Sequence, residues 1–368
     1  MTEKRSLKVT ITEVAKLAGV STATAGRVLG AYGYSSEENK EKVRAAAEAL
    51  GYRPNLLARS LITGKTKTIG VVAGDIQSPF YAGILRGIAD VARARGFGVL
   101  LTNSDEELER EVEAVQLLLE KQVDGLIIAP CDTGGSPHLH AAVATGCPIV
   151  QIDRVVAGLK SDSVTADNRA ASRESVAQLL AAGHRRIGMV AELERWMSGD
   201  VEAFIDQVLD GTLDPATLFP SWQRLFGYIE AHMAAGVGLD RDLIGRVGAY
   251  SGAAARTRTL DLLSRLDRPT ALFTADGLMS AVAMDAISTL NLNIPQDLSL
   301  ICFDDLDWMR FTKPGITAVA QSLPEMGEAA AKLMLARLEG AEMPAQHLTL
   351  HPALVMRGSV AAPVGVAA

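Results

Sequence analysis

Apolar residues recur at helical spacing through the first fifty positions of the chain, and then the rhythm changes. Val14 and Leu17 share one face of a helix predicted to start after Thr10. Ala25, Val28 and Leu29 mark the inner face of a second helix from Ser21, and Val43, Ala46, Ala47 and Leu50 that of a third over residues 36–50. From Thr68 onward, short Val/Ile/Leu runs alternate with helical patterns. Runs at 69–73, 99–102, 125–129 and 148–152 read as buried strands, with helices at 81–95, 107–121 and 136–145 between them. A second series places strands at 187–190, 246–250, 271–274 and 298–302, with helices at 169–182, 223–235, 253–266 and 278–290. Such alternation builds parallel, doubly wound sheets. The expected fold is α/β: a small all-α head followed by a two-lobed doubly wound body.

Local signals sharpen the head. Thr10 and Glu13 have the spacing of a capping box. Gly19 can take the positive φ of a tight helix exit, and Ser21 caps the second helix, leaving Thr22, Ala23, Thr24 and Arg27 pointing outward. Two short helices joined by a small-residue turn meet the requirement of a helix-turn-helix, whose second helix enters a major groove; a helical hairpin that only packs on something is the plainer alternative. Gly51 ends the third helix. Pro54 or Asn55 then starts a short segment carrying Leu57 and Leu61, too short to be a stable helix alone. Leucines on a basic segment suit a wedge that unstacks a base step. The expected domains are 1–53 (helix-turn-helix), 54–67 (hinge helix and linker) and 68–368 (two-lobed sensor and dimerisation domain).

Charge separates head from body. The 368 residues carry a net charge of −7, yet residues 1–67 hold 12 Lys and Arg against 6 Glu, a head of +6 on a body of −13. A basic module on an acidic body suits phosphate contacts made by the head alone. No leader pattern opens the sequence and no apolar run approaches a membrane span, so a cytoplasmic protein is expected. Cys131, Cys147 and Cys302 form no C-x-x-C pair, which argues against disulfide and zinc frameworks. His138 and His140 read as a solvated loop rather than a metal site. No Ser-His-Asp grouping, Walker lysine or dinucleotide glycine motif stands where catalysis needs it, so no catalytic residue, cofactor or metal is expected.

Residues 9–29, with Thr-Ile-x-x-Val-Ala-x-x-Ala-Gly-Val-Ser-x-x-Thr-x-x-Arg-Val-Leu, followed by Leu50-Gly-Tyr-Arg-Pro-Asn and Ala58-Arg-Ser-Leu61, resemble the lactose/galactose repressor (LacI/GalR) family of bacterial regulators. The resemblance implies that Thr22 and Ala23 read bases, that Arg27 contacts a guanine, and that Thr10, Ser21, Thr24, Ser36 and Asn39 contact phosphates or position the head. It also implies a hinge helix over 55–63, from Asn55, that folds on the operator, with Ala58 and Leu61 as its minor-groove pair. Gly26 departs from the family's usual Ser inside the recognition helix. Glycine there costs roughly 1 kcal/mol of helix stability, and closer approach to the DNA backbone or simple tolerance are the open explanations.

The resemblance continues through Ser78-Pro-Phe-Tyr81, Ile152-Asp-Arg154, Val164-Thr-Ala-Asp-Asn168, Gly183-His-Arg-Arg-Ile187, Arg224-x-x-Gly-Tyr228, Phe303-Asp-Asp305 and Pro314-x-Ile-Thr-x-Val-x-Gln321. It implies a periplasmic-binding-protein-like sensor whose chain crosses between lobes three times. The effector then lies in the cleft, beyond the carboxyl ends of the strands. Matching positions nominate Asp75, Phe80, Tyr81, Arg154, Arg224, Tyr250, Asp276, Asp304 and Gln321 as effector-binding residues. Asp305 is expected to be structural, and Trp222 and Trp308 are open between ring stacking and packing. Residues 191–223 exceed the family pattern by about twenty, with an extra helix expected at 201–209 on the cleft rim. The implied function is a homodimeric transcription regulator, a repressor, on a palindromic double-stranded operator. Its small-molecule effector is expected to be a carbohydrate or polyol, without membrane association. A solute-binding protein, or an α/β enzyme fused to a DNA-binding head, is the alternative.

Overall fold

The computed structural model describes residues 9–30, 32–52, 64–193, 200–215 and 218–363. The hinge positions Asn55, Ala58 and Leu61 lie outside them. The chain forms two units, Met1–Thr68 and Ile69–Ala368.

In the first unit, helices α1 (Ile11–Ala18), α2 (Thr22–Gly30) and α3 (Glu37–Ala49) enclose Val14, Ala15, Ala18, Ala25, Val43, Ala46 and Ala47. Gly19 sits at φ 68°, and its amide reaches back to the carbonyls of Ala15 and Lys16. One expectation fails here. Leu17 is 57 % exposed, because Ala18, one helical turn after Val14, takes the inward place.

The second unit contains two six-stranded sheets. Lobe one has strand order β11-β5-β4-β3-β1-β2, drawn from β1 (Thr68–Ala73), β2 (Gly98–Asn103), β3 (Gly125–Ile128), β4 (Ile149–Ile152), β5 (Asp162–Ala166) and β11 (His347–Leu350). Lobe two has the order β12-β10-β9-β8-β6-β7, from β6 (Ile187–Ala191), β7 (Ile244–Arg246), β8 (Ala271–Thr274), β9 (Ser299–Phe303), β10 (Thr317–Ala320) and β12 (Ala353–Val355). β3 runs parallel to β1 and β4, and β8 to β6 and β9; β12 is antiparallel to β10. The chain passes between the lobes three times: after β5, after β10 and after β11.

Helices cover both faces of each sheet. In lobe one, α4 (Pro79–Ala94) and α12 (Leu323–Leu338) lie on one side, α5 (Leu108–Glu120) and α6 (Pro137–Ala144) on the other. In lobe two, α7 (Asn168–Ala181), α8 (Val201–Leu209) and α9 (Pro220–Ala234) oppose α10 (Gly252–Leu263) and α11 (Gly277–Thr289). The α4–α12 crossing depends on glycine: a Cβ on Gly87 would stand 2.1 Å from the Pro324 carbonyl oxygen, and one on Gly327 would stand 2.0 Å from that of Ile84.

Three differences from the sequence reading have physical causes. β7 lies at 244–246 rather than 246–250, because Gly248 turns the chain at φ 75° and Ser251 already caps α10. β5 carries no apolar alternation, yet it is an interior strand. Its Asp162 is 1 % exposed and holds the Arg337 fork at 2.7 and 2.8 Å, a partner 175 residues away. The inserted helix α8 has the expected bounds but does more than rim the cleft. Phe204, Ile205 and Val208 enter the core of lobe two, and the Phe204 and Trp222 rings lie 4.7 Å apart.

Candidate functional site

In the head unit, α2 presents Thr22 and Ala23 of its first turn and Arg27 of its last turn to solvent. The Ser21 hydroxyl accepts from the Thr24 amide at 3.1 Å and meets the Thr24 hydroxyl at 2.9 Å, which sets the first turn. The Ser36 hydroxyl caps α3 through the Asn39 amide at 3.4 Å. Glu13 accepts from the Thr10 amide at 2.7 Å and hydroxyl at 3.0 Å, and the amide bond above all holds its carboxyl below the ordinary range. Gly26 has an intramolecular explanation. Cβ atoms at Gly26 and Gly30 would stand 3.3 and 2.3 Å from Tyr32, so the two glycines make a flat seat for that ring.

In the body unit, Asp75, Phe80, Tyr81, Arg154, Arg224, Tyr250, Asp276, Asp304 and Gln321 all line one cavity of about 600 Å³ between the lobes. Asp75, Arg154, Asp276, Asp304 and Gln321 follow the carboxyl ends of parallel strands, whereas Phe80 and Tyr81 come from the first turn of α4 and Arg224 from α9. Tyr250 reaches it from the loop beyond β7 rather than from a strand end. Asp276 is the N-cap of α11, accepting from the Met279 amide at 2.9 Å. Burial, opposed by that bond and by Arg224, pushes its carboxyl up to about 6. Asp304 takes a φ of 69° and accepts from the Gly277 amide at 3.0 Å and from Gln321 Nε2 at 2.6 Å. Arg224 is buried; its Nε donates to Asn168 at 2.9 Å, another N–H meets the Ala275 carbonyl, and its face lies 3.8 Å from the Phe303 ring centre. Its remaining nitrogen has no acceptor among the described residues, and the residue lines the cavity.

Sequence reasoning missed several lining residues: Glu106, Glu192, Phe219 and Ser221. Glu106 was findable, since it follows β2 as the other site loops follow their strands. It holds Arg154 through both carboxylate oxygens, at 2.5 and 2.9 Å, and accepts from the Tyr81 hydroxyl at 3.0 Å. Asp153, at φ 66°, is buried, and burial raises its carboxyl above the ordinary range. Asp305 also borders the cavity but is held by the Arg357 fork at 2.7 Å on each oxygen, the structural part expected of it.

Three residues take other places. Trp222 is wholly buried among Phe204 and its neighbours, and Trp308 packs partly buried on the opposite face of lobe two; neither lines the cavity. His138 is not in a solvated loop. It lies on α6 with Nε2 2.7 Å from Glu111, a fully buried carboxylate that also accepts from the Cys131 amide. Burial pushes the Cys131 thiol up to about 12 and those of Cys147 and Cys302 to about 11, which keeps them protonated and poor nucleophiles. Among the described residues, no His/Cys/Asp/Glu group is arranged to hold a metal, and no helix is long and apolar enough to cross a membrane.

Comparison with known proteins covers both units. The family model described as "Bacterial regulatory proteins, lacI family" matches residues 10–55. "Periplasmic binding proteins and sugar binding domain of LacI family" matches 66–204, and "Periplasmic binding protein-like domain" matches 176–360. The HTH-type transcriptional regulator PtxS of Pseudomonas plecoglossicida is 31% identical over 353 residues, 96% of each chain. The ribose operon repressor of Haemophilus influenzae is 27% identical over 352 residues, 95% of this chain and 98% of that one. Among solved structures, the lac repressor dimer bound to operator and the anti-inducer ONPF has a TM-score of 0.79 at 24% identity, covering 97% of this chain and all of the other. The transcriptional regulator CelR–cellobiose complex has a TM-score of 0.66 at 27% identity, covering 96% and 100%.

Proposed function

The chain belongs to the LacI family of bacterial regulatory proteins, and on that premise we propose that its cleft binds an uncharged sugar or polyol that controls the grip of a homodimer on a palindromic operator. The convergence of Arg224, Asp276 and Asp304 on one cavity carries this reading. Carboxylates accept hydroxyl protons, and the arginine fork donates to hydroxyl oxygens. Charge argues against an anionic effector. Seven carboxylates border the cavity against two arginines, and Arg154 is already neutralised by Glu106. Phe80 and Tyr250 supply apolar faces for a pyranose ring. Relatives named for ribose and cellobiose point the same way.

Residues 1–53 read DNA in this proposal, 54–67 form the hinge and linker, and 68–368 sense effector and dimerise. Thr22, Ala23 and Arg27 face base edges; Thr10, Ser21, Thr24, Ser36 and Asn39 serve the backbone; Asn55, Ala58 and Leu61 serve the minor groove. The protein works in the cytoplasm beside its DNA and binds its effector without turning it over.

A melting-temperature screen against sugars, polyols, nucleobases and sugar acids tests the sensor. A ligand at 100 times its Kd adds about 2.7 kcal/mol of stability. Arg224→Ala is expected to abolish the shift and spare operator binding, and an unchanged shift would remove Arg224 from the site. Arg27→Ala is expected to cost about 1–3 kcal/mol of operator affinity while the effector shift stays intact. Equal affinity for operator in the variant and the parent would refute the base-contact assignment.

A further inference from the structure

Arg154 differs from Arg224 in what surrounds its guanidinium. It stands just beyond β4, in lobe one. Glu106 takes two of its N–H groups, the Pro130 carbonyl accepts at 3.2 Å, and the Tyr81 hydroxyl lies 3.4 Å away. Its Nε makes no hydrogen bond among the described residues but lies 3.3 Å from the Asp153 carboxylate, and the flat face of the fork lies 4.1 Å from the ring centre of Phe219. Phe219 belongs to lobe two: it is the N-cap of α9 at the end of the inserted segment, and its side chain is part of that lobe's apolar core. Both partners are more than nine-tenths buried.

We propose that Phe219 on Arg154 is a strut between the lobes, which draws them together in the effector-free protein and withdraws Arg154 from direct effector binding. Glu106 has already taken the guanidinium out of water, so stacking the ring on it adds attraction with little further dehydration. Opening the cleft would re-expose an aromatic ring and uncover a buried ion pair, and both oppose separation. The strut therefore biases the lobe equilibrium before any ligand arrives. An effector that needs closed lobes finds them partly assembled, and its apparent affinity carries that bias.

Hydrogen exchange on the effector-free, full-length protein tests this without knowledge of the ligand. Phe219→Leu keeps an apolar side chain in the core of lobe two but has no ring face, whereas Phe219→Trp keeps the face. The leucine variant is expected to exchange several-fold faster than the parent across residues 150–157 of lobe one, with the tryptophan variant matching the parent. Parental protection at 150–157 in the leucine variant would overturn the strut. So would equal exchange in the leucine and tryptophan variants, which would show that ring stacking is irrelevant.

Discussion

Asp276→Asn separates what the cleft needs from what the fold prefers. In the folded chain the Asp276 carboxyl is pushed from the ordinary 3.8 up to about 6, chiefly by burial. A raised value means that the folded state holds this proton more tightly than the unfolded chain. The resulting stability is full below pH 3.8 and is lost as pH rises through about 6. At about 1.36 kcal/mol per unit, the ionised carboxylate costs the folded state at most about 3 kcal/mol at pH 7.5. Asp276 is partly exposed at the cleft, so a cost of about 1–2 kcal/mol is expected after screening. Asparagine removes the charge and keeps the helix cap, because its amide oxygen can still accept from the Met279 amide. The variant is therefore expected to be more stable than the parent by about 1–2 kcal/mol at pH 7.5, with the gain shrinking to about half by pH 5. Urea unfolding of the effector-free protein at both pH values measures this. Effector affinity should fall in the same variant, since a hydroxyl proton acceptor is lost. A variant less stable than the parent at pH 7.5, or a gain that does not shrink on acidification, would refute the reasoning.

Two further expectations concern the frame that holds the cleft. Phe204→Ala should destabilise lobe two by about 3–5 kcal/mol, because its wholly buried ring packs on Trp222 and Phe226; a loss below about 1 kcal/mol in urea would mean that α8 is not part of that core. His184 is buried between the Thr270 hydroxyl and the Ala361 carbonyl, and burial lowers its pKa below the ordinary 6.5. Its contribution is full above pH 6.5 and is lost as pH falls below that value, so His184→Gln should narrow the drop in melting temperature between pH 7.5 and 5.5. An unchanged drop would assign the acid sensitivity elsewhere.

Much of the site was legible because the relevant signals are local or positional. Ligands of open α/β sheets lie beyond strand ends, so Asp75, Arg154, Asp276 and Asp304 could be nominated from strand boundaries and motif matches alone. Glu106 follows the same rule, just beyond β2. Glu192 directly follows β6 and obeys the same rule, whereas Phe219 carried no local signal. Phe219 borders the cleft because the inserted segment folds back on lobe two, and that path depends on Phe204 and Trp222 finding each other. Trp222 shows the converse: a large aromatic beside a matched arginine is equally consistent with stacking and packing until its neighbours are known.

The alternation of strands and helices, the helix starts at Thr10, Ser21 and Ser36, and the basic head on an acidic body are properties of the amino-acid order. Each of these follows from hydrophobic period, cap chemistry or charge, which act over a few residues or sum over many. Packing in three dimensions set the rest. It made β5 an interior strand by giving Asp162 the Arg337 fork, seated Tyr32 over Gly26 and Gly30, and divided two similar arginines between different partners. Arg154 is held by Glu106 and Phe219, whereas Arg224 keeps one nitrogen without an acceptor among the described residues. The physical reason is that a buried charge takes its state from whatever the fold brings within a few ångströms, and those neighbours are tens to hundreds of residues away along the chain.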